Sequence, residues 1–210
     1  IFDNKELYVS SNRGRDKSAI YTFNLETAKE DKLIFEHAEV DVYGLMRSKK
    51  RKLITGVYYT TDKTRRVFFD ETREALQQKI DEKLPNLDVG ISSYNEDETQ
   101  AVLFASSDKS RGTYYYYDIN EDQLTKLADL SPWLNEEDMA SMLPVSYQSR
   151  DGLTINGYLT LPVGISHKNL PVVVNPHGGP WARDYWGFNP EVQYLANQGY
   201  AVFQMNFRGS

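Results

Sequence analysis

The residues with types and spacing suited to chemistry are concentrated in the last third of the chain. His177-Gly178-Gly179-Pro180 follows an apolar run, Val172, Val173 and Val174, that reads as a buried strand. Two glycines in succession let a backbone turn sharply and approach a ligand closely, and such a turn can aim N–H groups at an anion. Trp181, Tyr185, Trp186 and Phe188 come next, at a spacing that suits either a substrate pocket or ordinary packing. Arg208 either holds a substrate-side loop by charge-assisted hydrogen bonds or pairs with a carboxylate. His177 reads as a conformational lock for its loop rather than as a base.

In α/β-hydrolases part of the oxyanion hole is a backbone N–H in the loop after the third strand, where lipases carry an HGGG-type motif. Residues 177–180 hold that place in the local order of elements. HGGP followed by aromatics, a helix and a strand ending in Asn206-Phe207-Arg208-Gly209-Ser210 resembles the prolyl oligopeptidase family of serine peptidases. The acylaminoacyl-peptidase and dipeptidyl-aminopeptidase-like branch is the most similar. The preceding stretch YQSRDGLTINGYLTLP, residues 147–162, also resembles the segment that leads into that family's catalytic domain.

The resemblance implies acyl transfer on short peptides. A Ser attacks the carbonyl, a His moves the proton, an Asp orients the His, and donors stabilise the oxyanion. It implies that Gly179 supplies the oxyanion N–H, that Gly178 is needed for the turn, and that Trp181 and Arg208 contact substrate. The triad of such hydrolases runs Ser, Asp, His from a G-x-S-x-G elbow, and no G-x-S-x-G occurs in these residues. Ser210 follows Gly209, but an elbow would need Gly where Arg208 stands. The expectation is a chain inactive by itself, with segment 206–210 lying upstream of the elbow and the catalytic His far downstream.

The elements that must position this stretch are announced by repetition. Leu7-Tyr8-Val9-Ser10-Ser11-Asn12, Val57-Tyr58-Tyr59-Thr60-Thr61-Asp62 and Leu103-Phe104-Ala105-Ser106-Ser107-Asp108 share one pattern at spacings of 50 and 46 residues. Each precedes a polar turn and a second aromatic strand, ending at Asn24, Asp70 and Asp118. A period of about 40 to 50 residues with several short strands per unit is the signature of β-propeller blades, whose strands are rich in aromatic and β-branched residues. About three blades are expected, too few for a closed ring of about 4 to 8. The turns at 24–27, 70–73 and 118–121 read as leading to outer strands; alternatively, 71–83 forms a surface helix, with acids early and Lys83 late.

The boundary falls between Leu130 and Pro144, with 1–138 as propeller blades and 139–210 as the start of an α/β-hydrolase domain. Residues 131–139 combine a turn signal with a short acidic helix start. Strands are expected at 145–149 and 154–160, joined by a turn at Arg150-Asp151-Gly152, then at 172–175. Asn189 as N-cap, Pro190 at the first helical position and Gly199 at the C-terminus predict a helix of about nine residues. Residues 200–205 read as a parallel strand, giving a doubly wound β, α, β alternation.

Composition bounds the partners. The 210 residues carry a net charge of −6, which argues against a nucleic-acid face; the one basic run, Lys49-Lys50-Arg51-Lys52, reads as a solvated turn. At 40% hydrophobic residues a core is affordable, yet no apolar run reaches the ~20 residues that cross a bilayer. The absence of Cys removes disulfides, thiolate metal sites and a Cys nucleophile and leaves the redox compartment open. The start Ile1-Phe2-Asp3 carries neither an initiator Met nor a signal-peptide pattern and reads as internal. An acidic, Cys-free protein suits a bacterial cytoplasm or periplasm. His37, His167 and His177 lack zinc-site spacing, and 118–129 resembles a calcium loop with Gln123 where Gly is required, so no metal and no cofactor are expected. Two other readings compete: a propeller-based binding or pseudoenzyme scaffold, and an esterase of the same hydrolase fold, against which the repeat counts.

Overall fold

The computed structural model describes residues 5–179 and 181–210. The chain start Ile1-Phe2-Asp3 and Pro180 of the HGGP turn lie outside the described residues. Two compact units emerge, one comprising Ile1–Lys83 with Tyr94–Thr99, the other Leu84–Ser93 with Gln100–Ser210.

The first unit contains two three-stranded antiparallel meanders. β1 (Glu6–Ser11), β2 (Ala19–Asn24) and β3 (Lys29–Phe35) form one in sequential order; β4 (Val42–Ser48), β5 (Leu53–Thr60) and β6 (Thr64–Phe68) form the other. Ile20, Val42 and Val57, all at most 1% exposed, join the two sheets in one core, flanked by Ile34, Phe35, Leu45, Tyr59 and Val67. Each such side chain contributes about 1.5–3 kcal/mol through burial. The repeat found in sequence coincides with β1 and β5, and the second aromatic strands with β2 and β6.

The turn at 70–73 leads to a helix, α1 (Glu71–Lys83), rather than to an outer strand. Its residues are good helix formers, Asp70 accepts from the Arg73 N–H at 2.9 Å at its start, and Leu76 and Ile80 turn inward at 8% and 0% exposure. The other two such turns lead to strands, β3 and β10 (Gln123–Asp129).

In the second unit β7 (Asp88–Tyr94), β8 (Gln100–Ser106), β9 (Thr113–Asp118) and β10 make a four-stranded sheet in the order β10-β9-β8-β7. β8 shows why the sequence alternates: Ala101, Leu103 and Ala105 are 3%, 0% and 1% exposed, while the residues between them are half-buried. Tyr117 of β9 is fully buried, with its hydroxyl bonded to Asp122.

A one-turn helix at Glu136–Asp138, capped by Asn135, precedes the last sheet. That sheet is mixed, in the order β11-β12-β14-β13, from β11 (Met142–Gln148), β12 (Thr154–Thr160), β13 (Val172–Val174) and β14 (Ala201–Asn206). β13 and β14 run parallel, Val173 opposite Val202, and are joined by α2 (Pro190–Asn197). Asn189 caps α2 by accepting from the Glu191 and Val192 N–H groups, and Gly199 ends it at φ 91°. Val172 and Val174, expected to be buried, are 58% and 53% exposed, and among the described residues β13 pairs with β14.

Candidate functional site

The loop from β13 to α2 carries the glycine turn, and several bonds fix its course. His177 Nδ1 lies 2.7 Å from the Gly178 carbonyl, which can only accept, so Nδ1 carries the proton and Nε2 accepts from the Ser210 hydroxyl at 2.8 Å. The ring stacks on Phe207 with centroids 4.3 Å apart and planes 14° apart. His177 thus holds the loop against the end of β14.

The backbone strain falls on Gly179, whose φ is 149°, a region L-residues rarely adopt. A Cβ there would meet the Trp181 nitrogen at 3.1 Å. Gly178 has no left-handed φ and open space where a Cβ would stand, so the turn does not require glycine at that position. Both glycines are exposed.

Further along, Asp184 is gripped on both backbone sides by one side chain: its N–H donates to Asn206 Oδ1 at 2.8 Å and its carbonyl accepts from Asn206 Nδ2 at 3.2 Å. Its carboxylate accepts from the buried Gln204 amide at 2.9 Å. Arg183 lies over the Tyr185 ring at 5.0 Å and donates to the Tyr158 hydroxyl at 3.4 Å. Trp186 donates from its indole to the Met142 carbonyl at 3.0 Å. Trp181 is 91% exposed.

Arg208 pairs with Asp151 in the β11–β12 turn, both side chains more than half exposed. The Ser149 hydroxyl, the Leu153 N–H and the Arg208 guanidinium hold the Asp151 carboxyl below its ordinary range. His177, the two glycines, Ser210 and Phe207 are brought together, whereas Arg208 is engaged with Asp151. The carboxylates of the calcium-like stretch serve local bonds: Asp118 accepts from the Asn120 and Glu121 N–H groups, and Asp129 from that of Ser131.

Sequence reasoning missed Asp184, Gln204 and Asn206 as loop supports. A glutamine inside the apolar strand Val202-Phe203-Gln204-Met205 was the available signal, since a buried amide needs a partner.

No family model matches the chain. It is 34% identical over 217 residues to dipeptidyl aminopeptidase BIII of Pseudoxanthomonas mexicana, a match covering 99% of this chain and 31% of that protein. Its fold is shared with a solved prolyl endopeptidase, at a TM-score of 0.68 and 15% identity over 98% of this chain and 30% of the other. The acylaminoacyl peptidase of Pyrococcus horikoshii matches at a TM-score of 0.58 and 17% identity, over 99% and 32% of the two chains. Antiparallel sheets followed by a mixed sheet with a glycine turn after its parallel strand are thus a fold these residues share with both solved structures. The chain belongs to the prolyl oligopeptidase family of serine peptidases. It spans about a third of the length of the curated relative.

Proposed function

We propose that these residues form the last blades of a β-propeller, 1–138, and the opening of an α/β-hydrolase domain, 139–210, in a serine peptidase that hydrolyses short peptides. The observation that carries this reading is Gly179. It stands in a glycine-only backbone conformation five residues after the parallel strand β13, where such hydrolases place an oxyanion donor. The peptidase name and identity of the bacterial relative support it.

In this reading the Gly179 N–H donates to the oxyanion of the tetrahedral intermediate, and His177 and Asn206 hold the loop that presents it. Trp181, largely exposed, packs against the peptide, and Arg208 lies on the substrate side, steadied by Asp151. In this reading the Ser, Asp and His of the triad lie outside these residues, which carry no G-x-S-x-G, and the 210 residues alone are expected not to turn over substrate. The blades restrict access to short peptides, and no cofactor or metal takes part. The test is an assay of the 210-residue chain and of the full-length protein on a dipeptidyl arylamide and on a folded protein. Hydrolysis of the arylamide by the full-length protein alone, with the folded protein left intact, is expected. Equal cleavage of both substrates, or of neither, overturns the reading.

A further inference from the structure

One buried side chain in the second unit joins three segments far apart in sequence. Gln193 of α2, 6% exposed, accepts from the Ala140 N–H at 2.8 Å and donates to the Ala140 carbonyl at 2.8 Å and to the Asp108 carbonyl at 2.9 Å. The amide has two N–H donors, and both are used, so only one orientation of the group satisfies the site. Asp108 closes the arrangement by accepting from the Met142 N–H at 2.8 Å through its carboxylate. The Trp186 indole reaches the carbonyl of that same Met142. The stretch from Trp186 to Gln193, which leads directly out of the glycine loop, is therefore fastened at both ends to one short backbone strip, 140–142. That strip is in turn held by a turn of the β7–β10 sheet.

We propose that Asp108 and Gln193 are positioning residues for the oxyanion donor: the β8–β9 turn sets where α2 begins and, through it, where the Gly179 N–H points. An apolar residue would fill the same space on α2, but it would not fix one arrangement. A fully satisfied buried network does so, because any shift leaves a polar group without its partner. This inference rests on the peptidase reading.

The experiment uses the full-length protein with Asp108→Ala, Asp108→Asn and Gln193→Met. Asp108→Ala and Gln193→Met are expected to lower kcat about tenfold with KM within about twofold, as for a catalytic group displaced by a fraction of an ångström. A peptide boronate, which forms a tetrahedral adduct, weakens by the same factor, while a product dipeptide binds as before. Asp108→Asn keeps an acceptor for the Met142 N–H and restores both values. Wild-type kcat and boronate affinity in Asp108→Ala, or an Asp108→Asn as impaired as Asp108→Ala, overturn the proposal. Hydrogen exchange reads the loop without chemistry: Gln193→Met speeds exchange across 176–189 and leaves the β1–β3 sheet unchanged, whereas unchanged exchange in the loop overturns the proposal. A wild-type protein that cleaves no peptide sinks the functional reading instead, and the exchange result still decides the clamp.

Discussion

The His177 imidazole accepts from the Ser210 hydroxyl at 2.8 Å, across 33 residues of sequence. A serine bonded to a histidine invites comparison with a nucleophile and its base, but here the other ring nitrogen is turned to the Gly178 carbonyl rather than to a carboxylate. The pair with its stacked Phe207 acts as a lock on the glycine loop. In the full-length protein, Ser210→Ala should lower kcat by less than about tenfold, for the net loss of one hydrogen bond of about 1 kcal/mol, and His177→Ala, which also loses the Gly178 bond and the Phe207 stack, should lower it further. The double variant should be no worse than His177→Ala alone, because the Ser210 bond is already lost there and a shared interaction does not count twice. Kinetics of the four proteins check this; loss of all activity in Ser210→Ala would make Ser210 the nucleophile.

The two glycines should respond differently. Gly179→Ala forces a Cβ into a φ of 149° and to within 3.1 Å of the Trp181 nitrogen, which would move the N–H proposed as the oxyanion donor. A loss of about 10²–10³ in kcat is expected, the usual cost of removing one oxyanion donor. Gly178→Ala meets open space and should leave thermal stability and the loop conformation as they are. Comparable activity in the two variants would show that the donor lies elsewhere.

Among the described residues Trp181 exposes nearly all of its surface. Trp181→Ala should raise KM several-fold for a peptide substrate through lost apolar contact, at an unchanged melting temperature. An unchanged KM with a lowered melting temperature would return Trp181 to a packing role.

The first unit should lose stability in acid. Asp62 is held down to about 2: burial raises its pKa, but the Arg65 and Thr61 hydrogen bonds outweigh that effect. Asp70 is lowered chiefly by the Arg51 guanidinium. Glu98, pushed up by burial, is brought below its ordinary range by the Ser48 hydroxyl, the Lys50 N–H and Arg73. Carboxyls depressed in the folded state stabilise it above their unfolded pKa, and that stability disappears as pH falls through the folded values. The urea midpoint should therefore fall from about pH 4 downward toward pH 2. A midpoint that is flat or rises over that interval contradicts the assignment.

Glu98 also forms an ion pair with Arg73 in which each side chain is only 9% exposed, and the guanidinium lies 4.2 Å from the Tyr94 ring centre. Burial is the main cause that lifts the Tyr94 phenol to about 12. Glu98→Ala strands the Arg73 charge and should destabilise the unit by about 3–5 kcal/mol, read by chemical denaturation; a loss under about 1 kcal/mol would mean that Arg73 finds solvent.

What could be read from sequence was local or periodic. The 46 to 50 residue repeat located β1, β5 and β8 and the aromatic strands after them, since an aromatic or β-branched run has few alternatives to a strand. Asn189, Pro190 and Gly199 marked α2 because caps are set by neighbouring backbone. The turn at 70–73 looked like its two counterparts, and only the helix propensity of the residues after it told them apart. The exposure of Val172 and Val174 was not readable, because an apolar run does not say whether its strand is covered. The Asn206 grip on Asp184 and the Gln193 clamp on Ala140 and Asp108 were invisible for another reason: they depend on side chains that meet only after the sheets are built.

The most direct test of the peptidase assignment is to label the full-length protein with a fluorophosphonate and map the modified residue by mass spectrometry. The account predicts one labelled Ser, within a G-x-S-x-G elbow outside these 210 residues and followed by an Asp and a His, with labelling slowed by Gly179→Ala. Label on Ser210, or an intact protein that takes no label, would contradict it.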